Sequence, residues 1–218
     1  MDQSDIQTFS RNEEFTIFDR HLPHWGQSGT LCFITWRLND SLPKAVLDRL
    51  DAELSEVHRS FDIGSKYPTV ASLPIEKRTQ CYWDEFAVRD RFLDRGLGNC
   101  LLRKPEHAEA VLESLLRFDV DRYFLTDAVV MPNHAHFIAA FPATELMLFQ
   151  CENWKRFTGR RINKSEGQTG EFWQVDQFDH LIRTDDYFEY FRRYIAENPI
   201  KANLQKGEFL HYQKKLDQ

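Results

Sequence analysis

The feature that most constrains the fold is a pair of apolar segments separated by two residues. Residues 123–131 (YFLTDAVVM) and 134–141 (HAHFIAAF) are rich in β-branched and aromatic residues, and Pro132-Asn133 lies between them. Such segments favour strands, and a Pro-Asn pair between them favours a turn. Strands joined by so short a turn must be antiparallel, because a parallel pair needs a long crossover. The sequence therefore predicts an antiparallel sheet.

Helical patterns and further strands surround this hairpin. Apolar residues recur at helical spacing in residues 44–61, 105–117, 146–162 and 185–198. Residues 30–38 and 180–182 favour strands, and Pro199 is expected to end the last helix. The alternation predicts an α+β fold with a mostly antiparallel sheet and helices on one face.

Composition excludes several classes of protein. The chain has 218 residues, of which 42% are hydrophobic, and no run of about 18 apolar residues occurs. The N-terminus is acidic and polar, unlike a secretory signal, so a cytoplasmic location is expected. The four cysteines form no CxxC pair, which favours buried free thiols over a zinc ribbon or a disulfide framework. They are Cys32, Cys81, Cys100 and Cys151.

The net charge of −6 argues against a protein that coats nucleic acid without specificity. Residues 151–165 are the exception, with five basic residues against one acidic residue, Glu152. This stretch is the best candidate for contacts with phosphate, and the solvated face of a helix is the alternative. The basic residues are Lys155, Arg156, Arg160, Arg161 and Lys164.

His134 and His136 are separated by one residue, so on a strand both imidazoles point to the same face and can share one metal ion. Such a pair is weak support for a metal site by itself. The helix predicted over 185–198 adds a partner, because Asn198 follows Tyr194 by one helical turn on the same face. That helix offers a nucleophile and a third oxygen ligand. Alternatively, its tyrosines only widen the apolar stripe.

Three blocks of sequence together resemble the REP-associated tyrosine transposases, relatives of the single-tyrosine insertion-sequence transposases of the HUH class. They are AVVMPNHAHFIAAF at 128–141, FDHLIRTDDYFEYFRRYIAENPIKANL at 178–204 and, more weakly, GTLCF at 29–33. In the third block Cys32 stands where the family often has Tyr. The combination of blocks spans most of residues 29–204.

The resemblance implies a ferredoxin-like core with the histidine pair on a central strand and the tyrosine helix beside it. The transposase domain is then expected over 28–204, with an inserted, partly helical elaboration at about 39–104. An N-terminal arm over 1–27 and a C-terminal tail over 205–218 would flank it.

The resemblance also implies chemistry. Tyr194 is carried over as the nucleophile, His134 and His136 as ligands of Mg²⁺ or Mn²⁺, and Asn198 as the third ligand. The expected activity is cleavage and rejoining of single-stranded or hairpin DNA through a 5′-phosphotyrosine, by a monomer or homodimer. Gly29 and Thr30 match the segment implicated in base recognition. Further DNA contacts are expected from Arg183, Arg192, Arg193 and Lys201, with Trp154 or Trp173 available for stacking on bases.

Two other functions remain open at this level. A domesticated relative could bind structured DNA without cutting it. An unrelated hydrolase could combine the histidine pair with a carboxylate such as Asp127 or Asp179.

Overall fold

A computed structural model describes residues 1–19, 23–175 and 177–216. The chain divides into two compact units, which we describe separately. The first unit comprises residues 1–39 and 100–218, and the second comprises residues 40–99. Among the described residues, no helix is long and apolar enough to cross a membrane.

The first unit is built on a five-stranded sheet. A separate two-stranded sheet pairs β1 (Thr16–Asp19) with β2 (Pro23–Gly26). The main sheet has the order β6-β3-β5-β4-β7, and each neighbouring pair is antiparallel. Its strands are β3 (Leu31–Arg37), β4 (Phe124–Val130), β5 (His134–Ala140), β6 (Phe178–Leu181) and β7 (Leu210–Gln213). The predicted α+β class with an antiparallel sheet is confirmed, and β5 is the central strand.

Three α-helices lie in the described part of the first unit: α3 (Pro105–Leu116), α4 (Thr144–Ser165) and α5 (Asp185–Lys201). The order β3-α3-β4-β5-α4-β6 and the central pairing of β3 with β5 form the ferredoxin-like arrangement. On one face of the sheet, Ile34, Trp36 and Phe137 pack with residues of α3 and α4 such as Val111 and Trp154. These two helices lie on one face, as expected.

The third helix departs from the expectation of helices on one face only. Side chains alternate along a strand, so Phe33 and His136 point away from the face that carries Ile34 and Phe137. Phe191 of α5 stacks on Phe33 with 4.3 Å between ring centroids. Helix α5 therefore covers the opposite face. The physical reason is that every residue of β5 is buried, so both faces of this strand must be covered.

Pro199 does not end the last helix, contrary to the sequence prediction. Helix α5 continues to Lys201, and Ala202 N donates to Asn198 O at 3.0 Å beyond the proline. A proline lacks the N–H donor of other residues. Because Pro199 lies in the final turn of α5, the missing hydrogen bond costs the helix little stability. Asn198 consequently lies within the helix.

Backbone hydrogen bonds join both terminal segments to the main sheet. Gln7 N donates to Gly29 O at 2.9 Å, and Phe9 N donates to Ile182 O at 2.8 Å, within the segment expected as an arm. The segment expected as a tail, 205–218, contributes β7. Residues 20–22 of the arm and residues 217–218 of the tail lie outside the described residues.

The second unit is a pair of helices, α1 (Lys44–Ser60) and α2 (Ile75–Leu93). The first was predicted over 44–61, and the second lies within the segment expected to be a partly helical elaboration. Leu50 and Leu54 of α1 pack with Phe92 and Leu93 of α2 in a small apolar core. This unit occupies most of the segment expected to be an elaboration.

Candidate active site

Strand β5 places His134 and His136 together on the face of the sheet that α5 covers. Both side chains are fully buried, and their ring centroids are 4.7 Å apart. Their ligand nitrogens lie within 4.8 Å of one another. Strand alternation produces this pairing, as the sequence predicted.

Hydrogen bonds orient both imidazole rings. His134 Nδ1 donates to Asn133 Oδ1 at 2.7 Å, and His136 Nδ1 lies 2.8 Å from Thr35 Oγ1 on the neighbouring strand. Contacts of this kind set the orientation and tautomer of metal-binding histidines in general. With Nδ1 engaged, Nε2 is the nitrogen of each ring that can bind a cation.

Helix α5 brings Tyr194 to the histidine pair. The Tyr194 ring lies edge-on to His136, with centroids 5.4 Å apart, and edge-on to Phe33 at 5.7 Å. The helix begins after Thr184, whose side chain accepts a hydrogen bond from Tyr187 N and so caps the first turn. Tyr194 is 6% exposed, which makes it much more buried than Tyr190, at 41%.

Asn198 is the fourth member of the group. It is fully buried, and its Nδ2 donates to Tyr194 Oη at 3.1 Å. Within the part of the chain that the structure describes, its Oδ1 has no hydrogen-bond donor. A buried acceptor without a donor is costly unless a cation or another donor fills the position. Imidazole nitrogen and amide oxygen are both donor types that divalent cations accept.

A buried ion pair fixes α5 to the sheet, and sequence reasoning missed its role. Arg192 Nε lies 3.2 and 3.3 Å from the two oxygens of Asp127, which is fully buried on β4. Gln213 Nε2 of β7 donates to the same carboxylate at 2.8 Å, and Arg192 Nη2 donates to Lys214 O at 2.9 Å. Arg192, proposed from the sequence for DNA contacts, instead anchors the helix that carries Tyr194.

The basic residues of α4 lie on the other side of the sheet from the histidines, because α4 packs on the face that carries Trp36. Lys155 Nζ donates to Gln174 O at 3.2 Å, and Arg161 pairs with Glu113 at 3.3 Å. Arg156, Arg160 and Lys164 are exposed. The structure thus separates this predicted phosphate-binding stretch from Tyr194.

The two tryptophans named for base stacking belong to the core. Trp154 is 2% exposed, and its Nε1 donates to Ser114 O at 2.8 Å. Trp173 is 5% exposed, and its Nε1 donates to Thr158 Oγ1 at 2.9 Å. Neither ring has a face available to a base, so this prediction was wrong.

Gly29 and Thr30 lie far from the histidines along β3. His136 pairs with Thr35, five residues on, which corresponds to roughly 16 Å along a strand. Thr30 is buried and donates from Oγ1 to Gln27 at 3.0 Å. Gly29 adopts φ +68°, and a Cβ there would lie 2.4 Å from Asp5 O. Both residues have structural roles in this position.

The crowding at Gly29 leads to a prediction. Gly29→Ala should lower the free energy of unfolding by about 2–3 kcal/mol, because the left-handed backbone and the contact with Asp5 O both cost energy. Gly167→Ala is the matched control: its φ is +62° with nothing within 4 Å, so only the backbone cost of about 1 kcal/mol applies. Urea unfolding measures both, and equal losses would contradict the close approach.

Basic residues also lie on α5 and just before it. Lys201 Nζ lies 5.1 Å from the centroid of the Tyr194 ring and 3.6 Å from Glu197. Arg193 is exposed on the same helix, and Arg183 is half-buried just after β6. Of the residues predicted to contact DNA, Lys201 is the one that the structure brings against Tyr194.

His180 of β6 pairs with Phe33 of β3, so its side chain lies on the face of the sheet that carries His136. Burial, and secondarily the charge of Arg183, lower the pKa of its imidazole from 6.5 to about 4. The folded protein therefore binds fewer protons than the unfolded chain between these values. Stability from this residue is present above pH 6.5 and falls as the pH drops toward 4.

This shift predicts a pH-dependent difference between wild type and His180→Gln. Between pH 7 and pH 5 the wild type should lose about 1–2 kcal/mol more unfolding free energy than the variant. Urea unfolding at the two pH values measures the difference. Parallel losses in the two proteins would show that His180 titrates normally in the fold.

The chain has a distant likeness among solved structures. The chain is similar to a solved structure of a REP-associated tyrosine transposase bound to a REP hairpin, with 16% sequence identity and a TM-score of 0.39. The match covers 84% of this chain and 74% of that chain. No protein-family model and no curated protein matches the sequence. The likeness is a distant structural relationship.

Proposed function

We propose that this chain is a metal-dependent nuclease and strand transferase, a transposase-type enzyme that cuts and rejoins single-stranded DNA through Tyr194. The proposal is supported by the contact of the Tyr194 ring with His136, beside His134, and by the hydrogen bond that Asn198 donates to Tyr194. DNA, and hairpin repeats in particular, are proposed as substrate because residues 128–141 and 178–204 resemble the REP-associated tyrosine transposases.

The chemistry assigned to the protein begins at the Tyr194 hydroxyl. Its oxygen attacks a phosphodiester phosphorus, the bond to the 3′ oxygen breaks, and a 5′-phosphotyrosine and a free 3′-hydroxyl result. A phenol has an ordinary pKa near 10, so the hydroxyl needs help to lose its proton to solvent. Asn198 Nδ2, 3.1 Å away, donates to this oxygen and stabilises it as negative charge develops. Attack by a 3′-hydroxyl reverses the step and rejoins DNA.

The metal-binding part of the proposal rests on three donors. His134 Nε2, His136 Nε2 and Asn198 Oδ1 would hold Mg²⁺ or Mn²⁺, and the mixture of imidazole and amide donors accommodates either ion. When bound, such an ion neutralises charge on a non-bridging phosphate oxygen. Asn133 and Thr35 keep the two rings oriented for this role.

DNA-contacting residues follow from their positions. Lys201 beside Tyr194, Arg193 on the same helix and Arg183 near His180 are assigned to phosphates near the cleaved bond. The exposed Arg156, Arg160 and Lys164 of α4 would contact DNA only at a distance from it.

A non-cleaving DNA-binding function is the second candidate. The burial of Tyr194, at 6% exposure, favours it, because neighbouring side chains must move before a phosphate can reach the hydroxyl. Both carboxylates named for the hydrolase alternative are engaged elsewhere. Asp127 is engaged by Arg192 and Gln213, and Asp179 is paired with His24 on the opposite face of the sheet.

The test is a search for a covalent protein–DNA adduct. The protein is incubated with single-stranded hairpin oligonucleotides from repeats flanking its own gene, with Mn²⁺ or Mg²⁺, and analysed on a denaturing gel. An adduct is expected with metal and should disappear in the presence of EDTA. Peptide mapping should place the attached nucleotide on Tyr194. Tight hairpin binding with no adduct under any metal would establish the non-cleaving function instead.

A further inference from the structure

The helical unit of residues 40–99 contains a second group of side chains that can bind a metal. His58 lies near the end of α1, and Cys81 and Glu85 lie one helical turn apart on α2. Their ligand atoms, a ring nitrogen, the thiol sulfur and a carboxylate oxygen, all lie within 4.8 Å of one another. His58 Nε2 and Glu85 Oε1 are 2.5 Å apart. Three potential ligands therefore converge from two helices.

The surrounding structure holds these ligands in place. Cys81 and Glu85 are four residues apart, so their side chains project from the same face of α2. The apolar contacts of Leu50 and Leu54 with Phe92 fix α1 against α2. Ligands carried by packed helices are held more precisely than ligands on loops.

The three side chains differ in exposure to solvent, as expected for a metal site that is open to solvent on one side. Cys81 is fully buried, whereas the side chain of Glu85 is 15% exposed and that of His58 is 38% exposed. An ion can therefore reach the sulfur from the side where His58 lies. That side also leaves room for water as a fourth ligand.

We infer that His58, Cys81 and Glu85 form a Zn²⁺ site that links α1 to α2. Sulfur, imidazole nitrogen and carboxylate oxygen are the three donor types that Zn²⁺ accepts in proteins. A hard ion such as Mg²⁺ or Ca²⁺ would not select a thiolate. Binding replaces the thiol proton of Cys81, which is released to solvent.

The competing interpretation is an ion pair with a thiol beside it. Burial, and then the charges of Glu85 and Asp84, raise the pKa of the Cys81 thiol to about 11, so without a cation the sulfur keeps its proton. His58 and Glu85 would then form a hydrogen-bonded pair. The two interpretations differ in whether the sulfur takes part, which is what the test must measure.

The site would stabilise a small unit. About 60 residues bury too little apolar surface to be very stable alone, and small units commonly gain stability from a structural metal. One ion joining α1 to α2 would supply a cross-link between elements that are otherwise held by a few apolar side chains. This inference does not depend on the nuclease function proposed for the other unit.

The test uses Co²⁺ as a spectroscopic probe of the full chain. A bound thiolate gives cobalt an intense charge-transfer absorption in the near ultraviolet, which histidine and carboxylate ligands do not produce. One equivalent of Co²⁺ should produce this band in the wild type, and Zn²⁺ should displace it. The His134→Ala, His136→Ala double variant should keep the band, because its altered residues lie in the other proposed site.

Cysteine variants decide the outcome. Cys81→Ser should abolish the band, whereas Cys100→Ser, a matched change at another cysteine that forms no disulfide, should leave it intact. Glu85→Gln and His58→Gln, which alter partly exposed side chains, should weaken Zn²⁺ binding by at least the roughly 10–100-fold that loss of an outer-shell partner costs. Absence of a thiolate band in the wild type, or its persistence in Cys81→Ser, would overturn the zinc site.

Discussion

Tyr194→Phe should abolish the covalent protein–DNA adduct while leaving the fold and hairpin binding unchanged. The substitution removes only the hydroxyl oxygen, which is the atom proposed to attack phosphorus and the atom to which Asn198 Nδ2 donates. The ring contacts with Phe33 and His136 do not involve that oxygen and should persist. The adduct yield on a denaturing gel should fall below detection, which for a lost nucleophile corresponds to about 10⁴-fold or more.

Tyr190→Phe is the matched control for this variant. Tyr190 lies one turn earlier on α5 and is exposed, with its ring stacked on Tyr194 at 6.4 Å. The control should form the adduct at the wild-type rate. If both variants cut DNA, or if only Tyr190→Phe fails, the nucleophile is not Tyr194 and the proposed mechanism is wrong.

Asp127→Ala should cause the largest loss of stability, about 3–5 kcal/mol of unfolding free energy. The carboxylate is fully buried and accepts hydrogen bonds from Arg192 and Gln213. Removing it leaves the half-buried Arg192 guanidinium without its anionic partner, and an uncompensated charge is costly away from water. Urea unfolding followed by circular dichroism measures the change.

Two comparisons make this prediction specific. Arg161→Ala breaks an exposed ion pair with Glu113 and should cost no more than about 1 kcal/mol. The double variant Asp127→Ala, Arg192→Met removes both charges and should recover part of the loss, even if Asp127→Ala alone does not fold. A cost for Asp127→Ala as small as that of Arg161→Ala would show that the buried pair does not anchor α5.

The elements predicted correctly from the sequence are those that local periodicity determines. The hairpin of β4 and β5 follows from two apolar segments around Pro132-Asn133, and α1 and α3 follow from apolar stripes. The common face of His134 and His136 needs only the alternation of a strand. These features depend on residues that are near each other in the chain.

Features that depend on contacts between residues far apart in the chain could not be predicted from local periodicity. Asp127 and Arg192 are 65 residues apart, and nothing in their spacing indicates that they meet. The position of α5 on the second face of the sheet has the same origin, since an amphipathic helix does not specify which face it covers. Gly29 and Trp154 were assigned to DNA from resemblance and residue type, whereas their burial is set by tertiary packing.

Strand β7 has a consequence for the order in which the molecule assembles. It supplies the neighbour on the outer edge of β4, and it also carries Gln213, whose amide meets Asp127. During synthesis, β4 and α5 leave the ribosome before Leu210 does, so β4 is an open edge for that interval. Open edges recruit strands from other copies, and we expect nascent or truncated chains that end before Leu210 to aggregate.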